Sequence, residues 1–302
     1  MKQLFSPVML AVTMLFLDCT SKPTFDGLID LKSHSQKVYY SPGHEARAKE
    51  IAARCDNANN YFSQLLGFRP TTSLFILAPN EWSTYGTFPV YGMPHYPDFE
   101  QLPAEQGAKN RLVIAAEDND FWRSFLPPLE QLPPTLADKV RTAYRSNQGQ
   151  LSMMPFFDQL ALHELGHGFH AQAGLKMQRL WMQELFANIM LHTFIAENEP
   201  NLLPALETFP EMVVAAGSAE YKHTSLADFE RLYDNMDAKN YGWYQCRLHA
   251  AAKQIYDAGG EEVLPKLWVA LKNTQADLTD EQFSALLQTK VHPSVADVML
   301  KW

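Results

Sequence analysis

The stretch ALHELGHGFH, residues 161–170, places His163 and His167 four positions apart, with Glu164 directly after the first histidine. Residues four apart lie one above the other on a helix, so both imidazole rings can face one point in space. Neutral imidazole binds zinc well, and an adjacent carboxylate can take a proton from a water that attacks a carbonyl carbon. The stretch therefore predicts a helix with His163 and His167 as zinc ligands and Glu164 as general base.

A catalytic zinc site needs a third protein ligand, and two candidates compete. His170 points to roughly the same helix face, but two turns separate it from His163, which makes joint ligation from one straight helix awkward. Glu184, in RLWMQELFANIM (residues 179–190), lies on the next predicted helix, which can fold back. Because apolar residues surround Glu184 and a lone buried carboxylate is costly, Glu184 is the preferred ligand.

Gly166 stands inside the predicted helix, between the two histidines. Glycine is unfavourable in a helix interior by about 1 kcal/mol relative to alanine. Its presence there indicates that another backbone or a substrate must approach closely.

Hydrophobic periodicity predicts that strands come early in the chain and helices late. A helix is expected from near Pro42 to Gly67, then strands in TTSLFILAP (residues 71–79) and RLVIAAE (residues 111–117). A loop rich in Tyr, Pro and Gly is expected at about residues 80–110, and LPPLEQLPP, residues 126–134, is expected to break any regular element. Further helices are expected at about residues 155–172, 180–197, 225–236, 243–258, 261–272 and 279–289, with a short one at the C-terminus.

This layout predicts an α+β fold. We expect one domain over residues 24–302, with an α/β half at 24–150 and a helical half at 151–302. The chain has 302 residues, of which 46% are hydrophobic and 20% charged, so it can bury a substantial core. Its net charge of -9 and the lack of any basic run argue against a nucleic-acid partner.

The N-terminus has Lys2 followed by an apolar stretch over residues 4–17, a pattern typical of a signal peptide. Residues 1–19 are therefore predicted to be an export signal, and a buried N-terminal helix is the alternative. LFLDC, residues 15–19, resembles a bacterial lipobox, in which Cys19 would be lipidated and would attach the protein to a membrane. Asp18 departs from the small residue usual before that cysteine, so cleavage without lipidation stays open.

If Cys19 is used in this way, Cys55 and Cys246 remain in the mature chain. An oxidising compartment could pair them, whereas free buried thiols are the alternative.

HELGH followed by LWMQELFAN resembles the gluzincin metallopeptidases, and WMQELFA is similar to the WLNEGFA element of the aminopeptidase N family. The resemblance implies a thermolysin-like catalytic domain in which His163, His167 and Glu184 bind zinc and Glu164 is the general base. It also implies that Asn188, on the face of Glu184, orients a ligand histidine. A helix-surface position for Asn188 is the alternative.

The family also has a tyrosine that donates a hydrogen bond to the oxyanion, about fifteen residues before a glycine that ends its helix. In NYGWYQCRLHAAAKQIYDAGGEEVL, residues 240–264, this register relative to Gly259 selects Tyr244. Tyr241 is the second candidate, and core packing is the other role open to Tyr244.

RLVIAAE occupies the place of the gluzincin edge strand, which holds an extended substrate by backbone pairing. Nothing in the chain resembles the GAMEN element that binds a free amino terminus, and Gln183 and Leu185 stand where Asn and Gly are usual. Endopeptidase and exopeptidase action therefore both stay open.

The sequence thus predicts an exported zinc metallopeptidase that acts on a peptide or protein in the cell envelope or outside the cell. One alternative is an inactive module that keeps the gluzincin fold for binding, and another is a zinc-independent helical envelope protein. The sequence does not indicate the oligomeric state.

Overall fold

The computed structural model describes residues 25–96, 110–146 and 149–302. The predicted signal peptide, including Cys19, lies outside these residues. No helix in the described ranges is long and apolar enough to cross a membrane.

A four-stranded sheet forms the early part of the chain, with strands β1 (Ile29–Leu31), β2 (Lys37–Tyr40), β3 (Ser73–Leu77) and β4 (Arg111–Ala115) in that order. β1 is antiparallel to β2, whereas β2, β3 and β4 run parallel. All five residues of β3 and all five of β4 are buried, in keeping with the apolar runs that predicted them.

Twelve α-helices occupy most of the remaining described chain. They are α1 (Glu45–Leu66), α2 (Pro79–Tyr85), α3 (Asp120–Arg123), α4 (Pro134–Tyr144), α5 (Met154–Gln172), α6 (Leu180–Asn198), α7 (Leu203–Ala215), α8 (Leu226–Leu232), α9 (Ala238–Gly259), α10 (Val263–Asn273), α11 (Asp280–Leu286) and α12 (Pro293–Leu300). A π-helical turn, Leu287–Val291, joins the last two. The early sheet and late helices confirm the mixed α and β layout.

Several elements were not expected from the sequence. The expectation that LPPLEQLPP breaks all regular structure is wrong at its end, because Pro134 begins α4. Proline suits the first helical turn, where its missing N–H leaves no hydrogen bond unmade. α7 contains Pro210 inside the helix and was not predicted. The short strands β1 and β2 were also missed, since three or four residues carry little periodicity.

The sheet is joined to the helical half through a buried ion pair. Arg47 of α1 donates hydrogen bonds of 2.7 and 2.5 Å to the two oxygens of Asp158 in α5, and one of 3.3 Å to the Ala115 carbonyl at the end of β4. Trp122 also stacks on Phe157 of α5, with ring centroids 5.5 Å apart. These contacts place α5 against β4.

Cys55 and Cys246 are both buried and both free. The structure therefore has the unpaired form of the two alternatives. Burial raises the pKa of the Cys55 thiol to about 12, so it behaves as a small apolar side chain rather than a nucleophile.

Candidate metal centre

Helices α5 and α6 approach each other unusually closely at Gly166. A Cβ atom at this position would lie 2.8 Å from the Cα of Ala187, a distance that real Cβ atoms do not show. The glycine therefore leaves room for the backbone of α6. Of the two neighbours expected at Gly166, a backbone or a substrate, the structure shows the backbone. This packing brings Glu184 of α6 to the two histidines of α5.

Three donor atoms meet at this crossing. The Nε2 atoms of His163 and His167 are 3.0 Å apart, and one oxygen of Glu184 lies 3.3 Å from the first and 3.5 Å from the second. Glu184 is only 1% exposed. The structure thus brings together the three residues that the sequence proposed as ligands.

Each histidine is held through its other ring nitrogen. His163 Nδ1 lies 2.8 Å from the Oδ1 of Asn188, which can only accept, so this nitrogen carries the hydrogen. His167 Nδ1 lies 3.1 Å from His170 Nε2. With His170 as acceptor, both ligand candidates turn an unprotonated Nε2 towards Glu184.

These contacts settle the places of His170 and Asn188. His170 directs its Nε2 at the ring of His167, so it supports a ligand candidate and does not take the position of third ligand. Burial and the neighbouring His167 lower the pKa of His170 to about 3, which keeps it neutral and able to accept a hydrogen bond. Asn188 is fully buried against His163, so the structure shows the contact between these two residues and does not place Asn188 on the helix surface.

Two side chains that the sequence did not single out hold Glu184. Tyr233 donates a hydrogen bond to one carboxylate oxygen, and Gln245 Nε2 donates one of 2.7 Å to the other. Gln245 stands four positions after Tyr241 on α9, a spacing that could have revealed it. Tyr233 lies in a short turn, Tyr233–Asn235, and has no such local signal.

The buried Glu184 carboxylate requires a positive charge beside it. Burial raises its pKa, but His167 and His163 outweigh this effect and hold the pKa well below the usual value. For His167 the two effects are reversed. Burial lowers the pKa of this imidazole, and Glu184 raises it more strongly, to about 9. A protonated His167 or a bound cation can supply the charge that Glu184 needs.

Glu164 lies beside this group at a longer distance. One of its carboxylate oxygens, a ring nitrogen of His163 and one of His167 all lie within 4.8 Å of one another. Burial raises the pKa of Glu164, and His167 offsets part of the rise. Glu184 is closer to both Nε2 atoms, so Glu184 fits a ligand position and Glu164 a position beside the ligands.

Tyr244 does not reach this group. Its hydroxyl donates a 2.7 Å hydrogen bond to the Ser225 carbonyl, and its ring stacks on Trp302 with centroids 5.9 Å apart. The spacing to Gly259 predicted that Tyr244 lies at the site, and the structure places it elsewhere. Three positions along a helix turn a side chain by about 60°, enough to move it from the site into an aromatic cluster.

Tyr241, the second candidate, faces the site. Its hydroxyl accepts a 2.7 Å hydrogen bond from Gln245 Nε2, the same amide that donates to Glu184. Burial, and after it the charge of Glu184, raises the pKa of Tyr241 well above its usual value. The phenol therefore stays protonated and can act as a donor.

Three comparisons of this chain, with known protein families, with curated proteins and with solved structures, find no match.

Proposed function

We propose that this chain is a zinc metallopeptidase of the gluzincin type, with His163, His167 and Glu184 as the zinc ligands. The observation that carries the proposal is the triangle of donor atoms, with sides of 3.0, 3.3 and 3.5 Å. Ligand atoms about 2.0–2.2 Å from a tetrahedral zinc ion would stand about 3.3–3.6 Å apart. The two sides that end on Glu184 match this range, and the side between the histidine nitrogens, at 3.0 Å, is shorter. The donor types suit this ion, and the triangle is close to the size that it needs.

Zinc bound there would lower the pKa of a water and polarise a substrate carbonyl. Glu164 would take the proton from the water that attacks the carbonyl carbon and pass it to the leaving amine. Its raised pKa supports this role, because a base that later acts as an acid works best with a pKa near the working pH.

Tyr241 is the residue that we propose as donor to the oxyanion, in place of Tyr244. Its hydroxyl accepts from Gln245, so its own hydrogen can be directed either at the neighbouring Tyr233 hydroxyl or at a substrate oxygen. Tyr233, the other nearby phenol, already donates to Glu184 and acts as a positioning residue.

The remaining parts of the proposal combine the sequence resemblance with the layout of the fold and with the apolar N-terminus. The early sheet followed by helices supports a thermolysin-like domain, and the substrate is a peptide or protein. We further propose that residues 1 to about 18 are removed on export to the cell envelope or outside the cell. Mass spectrometry of envelope and secreted material tests this part, and finding Met1 in the mature protein contradicts it.

The decisive experiment compares wild type with Glu164→Gln by metal analysis and by digestion of a peptide library. We expect about one zinc per chain in both proteins and hydrolysis by the wild type alone, because the amide is isosteric with the carboxylate but cannot accept the proton. Zinc without hydrolysis in the wild type would support an inactive binding module instead. A wild type that keeps no zinc on dialysis contradicts the proposal altogether.

A further inference from the structure

Four polar side chains lie where α6 and α9 pack together beside the two histidines of α5. Glu184 and Asn188 stand four positions apart on α6. Tyr241 and Gln245 stand four positions apart on α9. Residues with this spacing share one face of a helix, so each helix turns two polar groups towards the other. Gln245 is the member that bonds to the other three.

The amide nitrogen of Gln245 makes two short hydrogen bonds. One of 2.7 Å goes to the Glu184 oxygen that also lies 3.3 Å from His163 Nε2. The other, also of 2.7 Å, goes to the Tyr241 hydroxyl oxygen. An amide nitrogen carries two hydrogens roughly 120° apart, so both bonds form together and hold the two accepting oxygens about 4–5 Å from each other. One rigid group therefore fixes a ligand oxygen relative to the proposed oxyanion donor.

The carbonyl oxygen of Gln245 continues these bonds towards His163. It accepts a hydrogen bond of 3.5 Å from Asn188 Nδ2, the longest of the set, and Asn188 Oδ1 lies 2.8 Å from His163 Nδ1. The donors run in one direction, from the His163 ring to the Glu184 carboxylate. Both ends require this direction, because an ionised carboxylate only accepts and a histidine that turns a bare Nε2 to a metal donates from Nδ1. The orientation of both amides follows from it.

We propose that Gln245 is a positioning residue that sets the Glu184 oxygen for zinc and directs the Tyr241 hydroxyl for the oxyanion. This inference rests on the proposed function of the site. Because Gln245 donates to the Tyr241 oxygen, the phenol turns its own hydrogen away from the amide. Without the amide, the hydroxyl can turn its hydrogen towards the nearby charge of Glu184 and away from a substrate.

The first test is NMR of the metal-free wild type, a measurement that needs neither zinc nor activity. Both Nε2 hydrogens of Gln245 should exchange with solvent at least about tenfold more slowly than those of Gln254, an exposed glutamine on the same helix. Equal exchange rates overturn the inference, because the two bonds of the Gln245 amide would then not persist in solution.

The second test compares the zinc affinities of Gln245→Met and Gln254→Met by competition with a chelator. Methionine is about as long as glutamine but has no N–H to donate. We expect Gln245→Met to bind zinc about 10–100-fold more weakly than wild type, because a ligand carboxylate loses a bond that orients it. Gln254→Met should bind like wild type. Equal affinities for the two folded variants overturn the inference.

The third test asks whether Gln245 acts through Tyr241. At saturating zinc, Gln245→Met should lower kcat about 10–100-fold and change KM less than about threefold, because the Tyr241 bond strengthens only in the transition state. In a Tyr241→Phe background the same substitution should cost at least about fivefold less in kcat. Equal costs in both backgrounds indicate a merely structural role and overturn the inference.

A spectroscopic signal of Tyr241 separates this inference from the proposed function. In protein labelled with ¹³C at tyrosine Cζ, the Tyr241 resonance is assigned by its loss in Tyr241→Phe. It should move in Gln245→Met and stay in place in Gln254→Met, because only the first removes a hydrogen bond from the phenol oxygen. A Tyr241 resonance that is unchanged in Gln245→Met overturns the inference.

Hydrolysis by the wild type decides the proposed function independently of this signal. If the wild type binds zinc but cleaves no peptide, the proposed function fails, yet a moved Tyr241 resonance and weaker zinc binding in Gln245→Met still support the positioning role. If the wild type cleaves peptides and Gln245→Met matches it in zinc affinity and kcat, only the role of Gln245 fails. A wild type that binds no zinc overturns both.

Discussion

Polar side chains of α5 and α6 meet at one point, whereas two tyrosines three positions apart on α9 lie in different environments. His163 of α5 lies 3.3 Å from Glu184 of α6, because Gly166 lets the two helices pack closely at Ala187. On α9, Tyr241 hydrogen-bonds with Gln245 beside Glu184, while Tyr244 lies in an aromatic cluster. The close α5–α6 contact therefore brings the first group together before any side chain orients it, whereas on α9 a shift of three residues decides whether a tyrosine lies at the site or in the core.

The largest effect is expected on the metal itself. Glu184→Ala should abolish zinc binding, because it removes one of three ligands and the charge that balances the cation. His170→Ala should retain zinc with affinity lowered about 10–100-fold, since His170 only orients His167. Metal analysis after dialysis measures both. Zinc lost from His170→Ala but kept by Glu184→Ala would reverse the assignment.

The next effect separates the two tyrosines of α9. Tyr241→Phe should lower kcat and kcat/KM together by about 10²–10³-fold, because its hydrogen bond strengthens only as charge develops on the carbonyl oxygen. Tyr244→Phe should leave the rate unchanged and lower the free energy of unfolding by about 1 kcal/mol, through loss of its bond to Ser225. Steady-state kinetics and denaturant unfolding measure these effects. A rate loss in Tyr244→Phe alone would restore the register drawn from Gly259.

A smaller effect is expected from the residue that orients His163. Asn188→Ala should weaken zinc binding about 10–100-fold without abolishing it, because the His163 ring loses its fixed tautomer and direction. Asn198→Ala, at the end of the same helix, is the control, since the side chain of Asn198 bonds to the Phe194 carbonyl and to no other described residue. Competition with a chelator measures the affinities, and equal values for the two variants would contradict the role of Asn188.

The smallest effect concerns the helix contact. Gly166→Ala should lower the free energy of unfolding by about 1–3 kcal/mol, because the added methyl group meets Ala187. Gly242→Ala on α9 should be neutral or stabilising by up to about 1 kcal/mol, since outside its own helical turn no described atom lies within 4 Å of the added atom and alanine favours a helix. Denaturant unfolding compares the two, and equal losses would show that the α5–α6 contact is not specially close.

Local spacing in the sequence was enough to predict part of the fold and of the candidate site. A four-residue step places His163 and His167 on one helix face, and apolar neighbours mark Glu184 as a buried carboxylate that needs a partner. The buried runs of β3 and β4 and the end of α1 at Gly67, which adopts a left-handed φ of 66°, were likewise predictable.

Only the tertiary contacts show which of the neighbouring tyrosines faces Glu184, because the Ser225 carbonyl and Trp302 hold Tyr244 and so fix the rotation of α9 about its axis. It also decided that Tyr233 and Gln245 hold Glu184, residues 49 and 61 positions away along the chain. The pairing of His95 with Val113 belongs to the same class. An edge strand exposes hydrogen-bonding groups that any nearby segment can satisfy, and only the folded chain determines which segment lies there.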